Sequence, residues 1–292
     1  MTKTITLVKE TFLHWYEKNA LRMGAAISFY AIFSTAPFFI LLIGIVRTIF
    51  DRQTTIVAVT RALNLTVGGN LAIVIQNLIN SAYRNTSSLL TAIIGGIILI
   101  ITAISVFAEL NTDLDELWTP DWHKEEEETA VETIKHYFRE RLVVLGLIFI
   151  CGILLVFSMV VTILISLFYR SLPDFVRDHA TLVQLFNIVL SLVGTTFLFS
   201  LIYRVLPEIK LPWKEIIWGA FVTALLFLMG RFLISWYITA YGQTSTYGAA
   251  GSIVGLLLWI YYSAQVFFIG ASGTFVYSTL YGSLSKKKIT AA

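Results

Sequence analysis

The sequence is short of almost everything that water-soluble chemistry uses. Only 13% of its 292 residues are charged, where soluble domains carry about a quarter. It has a single cysteine, Cys151, set in an apolar run, which excludes an intrachain disulfide framework and any Cys-based metal cluster. Its four histidines, His14, His123, His136 and His179, are scattered, and none shows a metal-ligand spacing. No P-loop, dinucleotide fingerprint or Gly-x-Ser-x-Gly elbow is present. The net charge of +3 is too small and too dispersed for a nucleic-acid binder. These gaps predict neither a metal nor a cofactor, and no enzyme.

What is abundant is apolar. Hydrophobic residues make up 57% of the chain, aromatics 14%, and the mean hydropathy is +0.78. Lipid is the solvent that suits such a chain, with aromatic rings favouring the headgroup level. A spanning helix needs about 20 apolar residues. Six stretches meet that length: Met23–Val46, Ser88–Ala108, Leu142–Phe168, Leu182–Tyr203, Ile216–Ile238 and Ala249–Tyr277. The predicted fold is all-α, a single polytopic membrane domain. The first 22 residues are polar and mixed in charge, so the first apolar run reads as an uncleaved span rather than a signal peptide.

Lys and Arg set the expected orientation. Fourteen of the 21 fall in the N-terminal segment, the second and fourth loops and the tail, six in the opposite loops, and Arg231 within a span. Both termini are therefore predicted to be cytoplasmic. Residues 3–18 place Ile5, Val8, Phe12 and Trp15 at helical spacing, which predicts an amphipathic helix on the cytoplasmic surface. The outer loop, 51–86, carries a similar pair of stripes hinged at Gly68-Gly69, suited to capping the bundle or lying in the outer leaflet. Residues 109–141 form an acidic cytoplasmic loop. Its carboxylates read either as a solvated helix start, matched to the helix dipole, or as oxygen ligands for a divalent cation.

A few residues within the spans invite functional readings. Arg231 lies about 6 Å past the middle of the fifth span, by the helical rise. A charge there costs about 2.5 kcal/mol or more unless it is paired, hydrated or snorkelling. It is either an anion- or headgroup-binding group facing a cavity, or an anchor bonded to outer-loop carbonyls or a carboxylate such as Asp51. Pro37 interrupts the hydrogen-bond ladder of the first span, with Ser34 and Thr35 placed to satisfy freed carbonyls. Gly248, Gly251, Ser252 and Gly255 give the last span a small-residue face, suited to packing within the chain or in a homo-oligomer. Gln265 must satisfy a buried amide, so it should face the bundle. Gly270-Ala271-Ser272-Gly273 reads as a weak point in an overlong helix. The candidate substrate path is thus Arg231, Gln265, Pro37 and Ser272.

Three segments resemble the YihY/BrkB family of bacterial inner-membrane proteins over nearly the whole chain. They are Gly24-Ala25-Ala26-Ile27-Ser28-Phe29-Tyr30-Ala31-Ile32-Phe33-Ser34-Thr35-Ala36-Pro37, Leu211-Pro212-Trp213-Lys214-Glu215-Ile216-Ile217-Trp218-Gly219-Ala220, and Tyr247-Gly248 through Leu258-Trp259-Ile260-Tyr261 to Gly270-Ala271. The resemblance implies an inner-membrane location. Family members have carried a ribonuclease BN label, a link to serum resistance, and a proposed role in export of lipid-like or osmotically active molecules. Where the family often has an acidic residue after the closing Gly-Ala, this chain has Ser272, so a carboxylate role does not carry over. The expected function is a transporter or flippase-like protein for an amphipathic or anionic substrate, with membrane lipids as partners. The alternatives are a non-catalytic envelope scaffold that binds other envelope proteins, and, third, a membrane-bound ribonuclease.

Overall fold

The computed structural model describes residues 2–49, 89–119, 146, 150, 153, 180–241 and 248–285. The outer loop at 51–86, most of the third expected span and the acidic residues beyond 119 lie outside the described residues.

Six helices are described: α1 (Thr2–Glu17), α2 (Ala20–Ile49), α3 (Leu89–Trp118), α4 (Ala180–Val205), α5 (Trp213–Tyr241) and α6 (Gly248–Tyr281). The protein is an all-α polytopic membrane protein. Among the described residues, Gly96–Trp118, Ile188–Val205, Trp213–Gly230 and Val254–Tyr281 are long and apolar enough to cross a bilayer, and Ala20–Ser34 is a shorter apolar stretch. The surface is correspondingly apolar, with residues such as Phe29, Ile101, Val193, Met229 and Leu258 exposed. Such side chains are stable only against lipid.

Local chemistry explains where the helices start and stop. Asn19 takes a left-handed φ of 54°, a conformation that Asn tolerates, and so closes α1. Its carbonyl then accepts from the N–H groups of Arg22 and Met23, opening α2. α2 runs unbroken through Pro37. The Ser34 hydroxyl bonds to the Ala31 carbonyl at 2.9 Å, not to the Phe33 carbonyl that Pro37 leaves without an N–H. α3 continues ten residues past Ala108 into the segment read as loop. Leu110, Leu114, Leu117 and Trp118 keep helical spacing there and pack into the core, so burial prolongs the helix. Pro212 supplies the carbonyl that accepts the first N–H groups of α5, and Glu215 sits in the first turn, where the dipole favours a carboxylate.

The core lies at one end of the bundle. It gathers the start of α2, the ends of α3 and α4, the start of α5 and the last half of α6, with α1 docked against α6. Trp118, Tyr203, Phe268, Met23 and Ile216 are among its fully buried side chains. Polar ties close the same end. Lys18 donates to the Thr119 carbonyl, the Glu208 N–H donates to Asp115 at 2.7 Å, and Ser283 donates its N–H and hydroxyl to the two oxygens of Glu215.

Candidate functional site

α6 carries the densest set of polar groups inside the bundle, and two of its neighbours pin it by its backbone. The Trp118 indole N–H donates to the Ala271 carbonyl at 3.1 Å. The Tyr203 hydroxyl donates to the Phe267 carbonyl at 2.7 Å and lies 3.2 Å from the Thr223 hydroxyl. Tyr203 also packs on Phe267, with ring centroids 5.0 Å apart. A helix whose carbonyls already bond internally accepts such second donors through the spare lone pair.

The α5–α6 seam is a close crossing built on small residues. A Cβ built on Gly270 would sit 1.8 Å from the Thr223 hydroxyl, and one built on Gly219 would sit 1.8 Å from the Thr274 hydroxyl. Each threonine hydroxyl bonds to the glycine carbonyl four residues earlier on its own helix, at 2.8 Å in both cases. Gly219 and Thr223 on α5 therefore face Thr274 and Gly270 on α6 reciprocally. Small residues are what let membrane helices approach this closely. The segment 270–273, read from sequence as a weak point, is thus a place of tight packing in an unbroken helix.

The opposite side of α6 from Phe267 holds Gln265 and Ser272. Seven residues separate them, so they share one face about 10.5 Å apart along the axis. Gln265 is 8% exposed and Ser272 fully buried. The Gln265 amide donates to the Ala20 carbonyl at 3.4 Å, beside Gly24, where any Cβ would strike it. Its Oε1 and the Ser272 Oγ have no hydrogen-bond partner among the described residues. By contrast, Ser263, Thr274 and Thr279 all donate to their own helix one turn back. An unengaged buried polar atom costs about 1–3 kcal/mol, so two on one face need a reason.

Arg231 lies on α5 next to Gly230, whose face meets the Tyr262 ring of α6. Its backbone is therefore level with Tyr262, within about one helical turn of Gln265. The side chains of Arg231 and Pro37 lie outside the described residues. Gly248, Gly251 and Ser252 begin α6, their surroundings lying outside the described residues, and Gly255 is partly exposed; among the described residues the tight glycine contacts are at Gly24, Gly219, Gly230, Gly270 and Gly282. Trp118, Tyr203 and Thr223 were not singled out from sequence. Gly-x-x-x-Thr at 219–223 and again at 270–274 was the legible signal.

Asp113 lies in the last turns of α3, one turn from Glu116, which meets Arg22 at the end of the bundle. It is 6% exposed, and its Oδ2 has no protein partner. Glu109, Glu116 and Arg22 lie near it. Arg22 also pairs with Glu116 at 3.8 Å. Among the described residues, no group of three His, Cys, Asp or Glu stands close enough to hold a metal ion.

The comparisons agree with this architecture. A UPF0761 membrane protein of Aggregatibacter aphrophilus is 26% identical over 264 residues, covering 89% of this chain and 88% of its own length. A UPF0761 membrane protein of Haemophilus influenzae is 29% identical over 174 residues, 59% of this chain; the match spans 60% of that relative. One of Idiomarina loihiensis is 32% identical over 106 residues, covering 36% of this chain and 37% of its own. No solved structure matches. The family described as virulence factor BrkB matches residues 11–291, and the chain belongs to that family.

Proposed function

We propose that this protein is a transporter or flippase-like protein of the bacterial inner membrane, moving an amphipathic or anionic substrate along the Gln265–Ser272 face of α6. The observation that carries the reading is the pair of unengaged, buried polar atoms on that face. Packing alone gives no reason to keep them, and a passing polar headgroup would engage both. Arg231, level with the next turn, supplies a cation to attract the anionic group. The excess of Lys and Arg in alternate segments supports a cytoplasmic position for both termini and for the packed end of the bundle. In this reading the lipids of the membrane are the partners, and no nucleic acid, metal or cofactor takes part.

One observation favours a scaffold instead. The interlocked α4–α6 core is built for rigidity, which a non-catalytic envelope protein would also need. Flux separates the two. In proteoliposomes with labelled phospholipids and small anions, we expect the wild type to move substrate, Arg231→Ala to lose most of that flux, and Gln265→Leu to reduce it several-fold. Equal flux in wild type and Arg231→Ala would remove Arg231 from the path. No flux in any of them, from protein shown to be folded, would favour the scaffold.

A further inference from the structure

α1 has two working faces. One docks on α6: Thr11 is buried against Gly273, and His14 stacks on Phe275 with ring centroids 5.0 Å apart. The other is an exposed apolar stripe of Ile5, Val8, Phe12 and Tyr16, which are 51–68% exposed. At about 100° per residue these four fall within an arc of about 80°, centred more than a third of a turn from the docked face. Glu10 and Glu17 lie on the far side, while Lys9 borders the stripe. Trp15, expected on the stripe, instead turns inward to pack on the core.

Four large apolar side chains aligned and left uncovered are not a stable arrangement in water. They adjoin a surface that already faces lipid. Lys3 lies 5.9 Å from the ring centroid of Tyr281, and Tyr277, Leu280 and Tyr281 of α6 are exposed beside it. Trp213, Ile217 and Trp218 are exposed at the start of α5, at the same end of the bundle. Tyr and Trp gathered at one end of spanning helices mark the headgroup level.

We infer that the Ile5–Val8–Phe12–Tyr16 face of α1 is a lipid-docking surface, seated at the headgroup–acyl boundary of the leaflet that surrounds the packed end. Lys9 flanks it toward the phosphates, and the acidic side points to water. The occupant is the phospholipid leaflet itself, because the stripe continues the aromatic belt of α5 and α6. The inference stands apart from the transport reading, and its test contains no flux measurement.

The test uses full-length protein with Cys151→Ser, spin-labelled singly through Ile5→Cys, Val8→Cys, Phe12→Cys and Tyr16→Cys, with Thr6→Cys and Glu17→Cys as the comparison set. The protein is reconstituted in vesicles of phosphatidylethanolamine with a minority of phosphatidylglycerol. We expect labels on the stripe to meet oxygen several-fold more than a water-soluble nickel chelate, and the comparison labels to show the reverse. Equal access to the chelate at all six positions would overturn the inference, placing the stripe in water. Exclusion of both reagents from the stripe would overturn it too, in favour of a second copy or another protein as the cover.

Discussion

Gly270→Ala should markedly destabilise the protein, although it adds one methyl group. The new Cβ would meet the Thr223 hydroxyl at 1.8 Å, the Thr223 Cβ at 2.8 Å and the Tyr203 hydroxyl at 2.9 Å. None of these can move away cheaply. Thr223 is fully buried and its hydroxyl is tied to the Gly219 carbonyl, while Tyr203 is held by Phe267. Overpacking of this kind costs about 1–3 kcal/mol and sometimes more, a large share of a marginal stability. The control is a swap. Gly270→Ala combined with Thr223→Gly removes the opposing side chain and should recover part of the loss. The yield of monodisperse protein and the midpoint of thermal unfolding in detergent read both effects. An alanine tolerated without any loss would mean that α5 and α6 do not cross this closely.

The second large effect is expected at Trp118. Trp118 is completely buried, reaches from the end of α3 to the Ala271 carbonyl, and packs against Tyr203 with centroids 6.0 Å apart and the rings tilted by 50°. Trp118→Ala should cost about 3–5 kcal/mol, the usual range for emptying a large aromatic site. Trp118→Phe keeps most of the volume but loses the donor, and should cost about 1–2 kcal/mol. Destabilisation of the alanine variant no greater than that of the phenylalanine variant would show that the site collapses and that the hydrogen bond dominates.

The described spanning helices were legible in the sequence because twenty-residue apolar runs have few alternative uses. The site was less legible, for physical reasons. Periodicity shows that Gln265 and Ser272 share a face, but not that their neighbours leave two of their polar atoms without partners. The extension of α3 was hidden by its carboxylates, which read as solvated although Leu114 and Trp118 carry the helix into the core. Trp15 was assigned to the exposed stripe because its spacing fits. In three dimensions it is the residue that turns inward, and Tyr16 completes the stripe. The glycine motif chosen from sequence, Gly251 with Gly255, obeys the same small-residue rule as Gly219 and Gly270. Only the observed crossing identifies Gly219 and Gly270 as close contacts, because a small residue says that two helices can approach and not which ones do.

The reciprocal seam also decides how α5 and α6 can move. Sliding one past the other by a turn in one direction would set Gly219 against Gly270, leaving a void. A turn in the other direction would drive Thr223 into Thr274. Both neighbouring registers are worse than the native one, so the hairpin works as a keyed joint with a single seating. A ratchet along this seam is closed to the protein. Any movement of α6 must therefore carry α5 with it, the two behaving as one lever.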